Sequence, residues 1–203
     1  MAVGNGVLPA FPAIDGIRLG VAEAAIKTPG RKDLVLIELQ RGSTCAGVFT
    51  QNAFCAAPVT VSKQHLSASF IESRKSEESS SYLLINTGNA NAGTGKQGME
   101  DAIASCQSVA ELLSVDFEQV LPFSTGVIGE KLPLHKIQQG LPRAAEDLNA
   151  KHWLKAAEGI LTTDTRPKGA AASVNYAGET ILINGISKGA GMIKPNMATM
   201  LAF

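Results

Sequence analysis

The stretch Lys188-Gly189-Ala190-Gly191-Met192-Ile193-Lys194-Pro195-Asn196-Met197-Ala198-Thr199-Met200 combines two glycines, a stiffening proline and a small residue set directly before a threonine. Glycine admits strained backbone and proline restricts it. A small residue before a hydroxyl residue, on such backbone, suits self-cleavage between Ala198 and Thr199. The hydroxyl attacks the preceding carbonyl, an ester forms, and water opens it. The product carries an N-terminal threonine whose hydroxyl is a nucleophile and whose own α-amine can act as base. With an unperturbed pKa of about 7.7–8.0, that amine is partly neutral near neutral pH. Composition alone does not select this reading.

Working outward, the chain closes on Met200-Leu201-Ala202-Phe203, which is apolar where C-termini are commonly polar and frayed. The expectation is that more chain continues or covers it. Upstream, residues 170–174 and 179–184 predict a hairpin around Tyr176-Ala177-Gly178. A helix is expected over 149–161, with Trp153, Leu154, Ala157 and Ile160 facing inward. Another starts near Pro133, a residue suited to a first turn, and carries the stripe Leu134, Ile137, Leu141 until Pro142 interrupts it. The clearest helix follows Gly98: Met99, Ile103, Cys106, Ala110 and Leu113 share one face, and Glu100 and Asp101 favour the dipole of its first turn. Residues 34–39 and 82–86 read as buried strands. Residues 48–50 and 58–61 are β-rich and flank a polar turn, and the charged, serine-rich run 72–81 reads as a solvated loop. The mixture predicts one α/β (α+β) domain with helices covering a sheet.

The 203 residues suffice to bury a core. Eighteen basic and eighteen acidic side chains give zero net charge, which excludes an electrostatic nucleic-acid binder. A hydrophobic content of 45% excludes a disordered chain. No long apolar run predicts a membrane span. Cys45, Cys55 and Cys106 have no framework spacing and read as small buried residues of a reducing compartment. Cys106 lies on the helix stripe and is not expected to be a nucleophile. Residues 1–13 show no leader pattern, so the cytoplasm is expected. His65, His135 and His152 lie apart, without ligand spacing; surface or capping roles and no metal are expected.

Three further loops could carry chemistry. Asn86-Thr87-Gly88-Asn89-Ala90-Asn91-Ala92-Gly93-Thr94-Gly95 leaves a strand and enters the best helix, so its N–H groups could face a ligand, or it is a plain tight turn. It lacks the Gly-Lys-Ser/Thr of a phosphate loop and the spacing of a dinucleotide fingerprint. Phe123-Ser124-Thr125-Gly126-Val127-Ile128-Gly129 can aim a hydroxyl and an N–H at one point, as an oxyanion hole does, or simply turn. Thr162-Thr163-Asp164-Thr165 could hydrogen-bond a polar substrate or end a helix as a hydroxyl-rich turn.

The string from Lys188 to Leu201 closely resembles the cleavage-site motif of the ornithine acetyltransferases, the bifunctional glutamate N-acetyltransferases of arginine biosynthesis. Residues 124–129, 162–164 and 86–91 resemble further segments of that family in the expected order, so the likeness runs from Gly16 to Phe203. It implies an N-terminal-nucleophile-like, self-cleaving layered fold, with residues 1–198 as an α-chain domain and 199–203 as the start of a β chain. It implies cleavage between Ala198 and Thr199, with Thr199 as nucleophile. Acetyl would move from N-acetylornithine to glutamate by ping-pong through an acetyl-threonine ester. Thr125 and Gly126 would form the oxyanion hole, and Thr162, Lys188 and Thr199 would bind substrate, Lys188 as a cation for a carboxylate. No cofactor is implied; acetyl-CoA is a candidate co-substrate, a trait that varies in the family. The partner would be the β chain of the same precursor, in an αβ heterodimer pairing into a heterotetramer. Two other readings stand beside it: an N-terminal-nucleophile aminopeptidase of related fold, and a non-catalytic small-ligand module built on the Gly88 to Gly95 loop.

Overall fold

Strand β2 (Leu34–Leu39) is apolar on both faces, and the structure, a computed structural model, buries both. Residues 6–71, 79–191 and 200–203 are described. β2 pairs antiparallel with β1 (Ile17–Ala22) and with β3 (Ser81–Asn89). β3 pairs parallel with β4 (Val120–Val127), giving the order β1-β2-β3-β4. A parallel pair needs a crossover, supplied here by the long helix α2 (Gly95–Leu113).

Alternate residues of this sheet feed two cores. Leu34, Leu36, Leu84 and Val120 meet α1 (Ala57–Ile71), α2 and α3 (Leu134–Glu146) through Val61, Cys106, Ile137 and Leu141. Leu19, Val35, Ile37 and Ile85 meet Trp153, Ala156 and Ala157 of α4 (Trp153–Gly159) and the following Ile160. Burying each such side chain is worth about 1.5–3 kcal/mol. The second core also holds Ile186 of a second, antiparallel sheet, ordered β5 (Lys168–Tyr176), β6 (Glu179–Lys188), β7 (Leu201–Ala202). Phe203 and Ile186 exchange both backbone hydrogen bonds at 2.9 Å, and the Phe203 ring meets Phe123 edge-on at 5.0 Å. The end of β6 is thereby docked beside the end of β4. The free edge of β1 is blunted: Leu19 and Asn149 exchange backbone bonds at 3.1 Å, and the Val21 N–H donates to the Asp147 carboxylate at 2.9 Å.

The expected α/β layering, the strands at 34–39 and 82–86, the helices and the hairpin are all present. The hairpin is tight because Tyr176 faces Glu179 directly, with Ala177 (φ 51°) and Gly178 (φ 89°) both left-handed between them. Several expectations need correction. Residues 58–61 are not a strand but the first turn of α1, where Pro58 sits without a helical N–H to lose. Ala57, Val61 and His65 recur at helical spacing and face the core. His65 is therefore buried, its Nδ1 2.8 Å from the Val120 carbonyl, and not a surface group. Residues 48–50 form no regular strand. Pro142 does not interrupt α3, which continues to Glu146 because Leu141 and Ala144 are held on the sheet. That packing outweighs a proline cost of about 3 kcal/mol. Leu154 is 47% exposed, one residue off the inward face that Trp153 defines. The buried stripe of α2 is rotated toward Ala102, Cys106 and Val109, leaving Met99, Ile103 and Leu113 on its flank. Cys55 is exposed and Cys45 half-buried; only Cys106 is fully inside, and burial pushes its thiol up to about 12. β1 has no counterpart among the expected elements. The 72–81 loop lies largely outside the described residues. Among the described residues no helix is long and apolar enough to cross a membrane.

Leu36 is fully buried in a central strand. Leu36→Ala is expected to lower the unfolding free energy by about 2–5 kcal/mol, measured by urea denaturation monitored by circular dichroism.

Candidate active site

The site is built where β3, β4 and β6 end together. Thr87 pairs with Thr125 and Gly88 with Gly126 across the parallel β3–β4 ladder, which then shifts register at Asn89. Gly126 has φ 141°, and a Cβ there would lie 2.3 Å from the Gly88 carbonyl carbon and 2.5 Å from the Asn89 nitrogen. Only glycine permits this approach. It leaves the Thr125–Gly126 corner compact, with the Thr125 side chain directed at β6.

Lys188, the last residue of β6, is 3% exposed and donates from Nζ to Thr125 Oγ1 at 3.0 Å. Because that oxygen accepts from an ammonium, the Thr125 hydroxyl proton is aimed elsewhere, as a donor. Burial pushes the Lys188 ammonium below its ordinary range; Asp164 pulls it back up and Lys168 adds to the depression. Asp164 has no exposed side-chain surface, pairs with Lys168, and accepts the Gly189 N–H at 2.9 Å. Burial opposes its ionisation, but the Lys168 and Gly189 hydrogen bonds and the charges of Lys168 and Lys188 together hold it below the usual carboxylate range.

A cavity of about 450 Å³ opens over Lys188. Its walls include Thr87, Gly88, Gly126, Thr162, Thr163 and Lys188. The structure thus brings together four positions that the sequence singles out: Thr125 and Lys188 in hydrogen-bond contact, Gly126 and Thr162 beside them. Ala198 and Thr199 lie outside the described residues. Thr125 itself lines a second, mostly apolar cavity of about 350 Å³, together with Phe54, Ile128 and Met200.

The Asn86 to Gly95 loop turns out to be mainly self-supporting. Asn86 Nδ2 donates to the Asn89 carbonyl and Asn89 Nδ2 to the Glu130 and Lys131 carbonyls. Asn91 Nδ2 donates to the Gly98 carbonyl, and the Ser124 hydroxyl donates to Asn86 Oδ1 at 2.6 Å. These amides brace backbone; what the loop offers the cavity is Thr87 and Gly88. The Thr87 hydroxyl is buried and has no hydrogen-bond partner among the described residues.

Sequence reasoning missed Lys27, Arg31 and Asp33, which complete the cavity wall. Lys27 and Arg31 sit in a short charged connection that reads as solvated surface, and Asp33 directly precedes β2. Arg31 donates from Nη2 to the Leu161 and Thr162 carbonyls and so fixes the Thr162 loop to the cavity.

A mixed sheet and an antiparallel sheet thus meet at a hydroxyl–ammonium pair beside a cavity, in a layered α/β protein. Residues 18–203 match the profile of the ArgJ family, and the chain belongs to that family. It is 57% identical over 94% of its length to the arginine biosynthesis bifunctional protein ArgJ of Methylococcus capsulatus, covering 44% of that protein. It is 53% identical over its whole length to the protein of the same name from Pseudomonas syringae, covering 48% of it. The chain therefore spans about half the length of the curated relatives it matches. Among solved structures it is similar to ornithine acetyltransferase of Mycobacterium tuberculosis complexed with ornithine, at TM-score 0.78 and 32% identity over 91% of this chain and 93% of that one. It is also similar to ArgJ of Bacillus halodurans, at TM-score 0.75 and 31% identity over 92% of each chain.

Two outcomes follow from this geometry. Gly126→Ala places a Cβ against backbone at a φ suited to glycine and is expected to destabilise by about 1–3 kcal/mol or more, seen as a lower melting temperature. Asp164, ionised more readily folded than unfolded, contributes stability that is present above the unfolded carboxyl pKa of about 3.9 and lost as pH falls through its lower folded value. Asp164→Asn is expected to be less stable than the parent at neutral pH, with the gap narrowing in urea titrations below about pH 4.

Proposed function

We propose that the chain is the α-chain portion of a glutamate N-acetyltransferase that moves acetyl from N-acetylornithine to glutamate in cyclic arginine biosynthesis. The observation that carries this is the buried Lys188 ammonium, which lines a cavity sized for an amino acid and donates to the Thr125 hydroxyl. Membership of the ArgJ family and the names of its relatives support the same reading.

In this reading the precursor cuts itself between Ala198 and Thr199, and residues 199–203 begin the β chain. The freed Thr199 α-amine takes the proton from its own hydroxyl, and the oxygen attacks the acetyl carbonyl of N-acetylornithine. The Thr125 hydroxyl and the Gly126 N–H stabilise the tetrahedral oxyanion. Lys188 and Thr162 hold the substrate, with Lys188 on a carboxylate. The intermediate collapses with cleavage of the amide C–N bond, and the Thr199 α-ammonium returns its proton to the departing ornithine amine. Glutamate enters, and its neutral amine attacks the ester carbonyl. The C–O bond breaks to give N-acetylglutamate and the Thr199 hydroxyl, which takes up the proton lost by that amine. No cofactor is needed for either half, and acetyl-CoA serves as an alternative acetyl donor if its thioester reaches the same threonine.

The β chain of the same precursor is the partner in this reading, giving an αβ heterodimer that pairs into a heterotetramer in the cytoplasm. Support comes from the half-length match and from the exposed apolar side chains Val174, Tyr176, Ile181 and Ile183 on the β5–β6 hairpin, a surface of the kind that partners cover.

In the polypeptide extended to the length of its relatives, Thr199→Ala is expected to remain one uncut chain on a denaturing gel and to transfer no acetyl. Thr125→Val is expected to lose about a hundredfold or more in kcat. Cleavage or acetyl transfer that survives Thr199→Ala would remove the nucleophile assignment; peptide hydrolysis without acetyl transfer would favour an aminopeptidase.

A further inference from the structure

The turn that carries Lys27 is fixed more firmly than a surface connection requires. Asp33, 2% exposed, accepts the Ala24 N–H on Oδ1 and the Ile26 N–H on Oδ2, both at 2.6 Å. From the other side, Lys136 donates from Nζ to the Ala25 and Ile26 carbonyls. Between them Ala25 is held at φ 53°, a conformation an alanine adopts only when its surroundings impose it. The clamp presses Lys27 against the strand end: a Cβ on Gly88 would lie 2.9 Å from the Lys27 Cβ. Lys27 thereby borders the same cavity as Lys188.

The charges around that cavity are unequal. Among the described residues Lys27, Arg31 and Lys188 line it with one carboxylate, Asp33, whose two oxygens are already occupied by backbone N–H groups; Asp164, behind the wall, supplies charge to Lys188. Arg31 is committed to the Leu161 and Thr162 carbonyls. Lys188 is buried at the floor, whereas Lys27 is exposed at the wall and makes no hydrogen bond or ion pair among the described residues. The cavity therefore offers two separate cationic contacts, one deep and one at the rim.

We propose that Lys27 is a specificity-determining residue for the acetyl acceptor: it binds the second carboxylate of glutamate while Lys188 holds the first. This rests on the acetyl-transfer reading above. A dicarboxylate matches two cations. N-acetylornithine carries an ammonium where glutamate carries its side-chain carboxylate, and gains nothing from Lys27. The strained turn and its clamp are explained by the need to hold a flexible lysine at a defined place.

The test uses the full-length enzyme and measures kcat/KM separately for N-acetylornithine and for glutamate, which in a ping-pong reaction report separate half-reactions. Lys27→Met is expected to lower kcat/KM for glutamate about five- to tenfold more than for N-acetylornithine, an effect between that of an exposed ion pair and a buried charge-assisted hydrogen bond. The preference for glutamate over glutamine as acceptor is expected to shrink with it, and Lys27→Arg is expected to restore most of both. Equal losses for both substrates, as misfolding or a purely structural role would produce, overturn the proposal, as does an unchanged preference for glutamate over glutamine. Absence of any transfer from N-acetylornithine to glutamate by the parent enzyme instead removes the acetyl-transfer reading on which it stands.

Discussion

A lysine ammonium taken out of water must be given acceptors and opposite charge, or it loses its proton. Lys188 is that group here, and much of the site's architecture meets its demands. The Thr125 hydroxyl accepts from it, and Asp164 supplies the nearby negative charge. Asp164 is in turn held by Lys168 and by the Gly189 N–H. The pair Lys188–Thr125 also joins the two sheets, because one residue ends β6 and the other lies on β4. Two other contacts reinforce that junction: Ile186 in the second core and Phe203 against Phe123. A charge that would be costly alone becomes the point where the layers are registered.

The strand ends can converge only because backbone can approach backbone there. Gly88 and Gly126 face each other across the parallel ladder, and the register shift at Asn89 turns β3 away immediately afterwards. The asparagine network then carries the chain from that bend into α2. A loop that looks suited to cradle a ligand thus spends most of its polar groups on its own backbone. It contributes to the cavity through the two residues nearest the sheet, Thr87 and Gly88.

Local pattern and tertiary context divide the remaining features. The runs 34–39 and 82–86 are legible as strands because they are apolar on both faces, the mark of a sheet covered on both sides. The 57–71 helix was obscured by Val59, Thr60 and Val61, whose β-branched side chains suggest a strand; the packing of Val61 and His65 and the hydrogen bond from Ser62 to the Pro122 carbonyl overrode that preference. β1 was missed because Arg18 and Gly20 interrupt its apolar run, and its pairing becomes visible only beside β2. In the site, Thr125, Gly126, Thr162 and Lys188 were legible as chemistry-bearing types in glycine- or hydroxyl-rich stretches. Lys27 and Arg31 were not, because a cation in a polar connection is ordinary until the fold shows what it faces.

The amino-acid sequence by itself determined the α/β class, the buried strands, the hairpin turn and the glycine- and hydroxyl-rich segments that border the cavity. Those follow from short-range causes: side-chain periodicity, the φ preferences of glycine and proline, and the placement of hydroxyls beside them. Only the tertiary structure decided that Lys188 reaches Thr125 across 63 residues of chain, that Asp164 supplies it with opposite charge, and that Lys27 shares its cavity. Such meetings depend on how the two sheets pack and on which turns are clamped. These are properties of long-range contacts that no local pattern encodes.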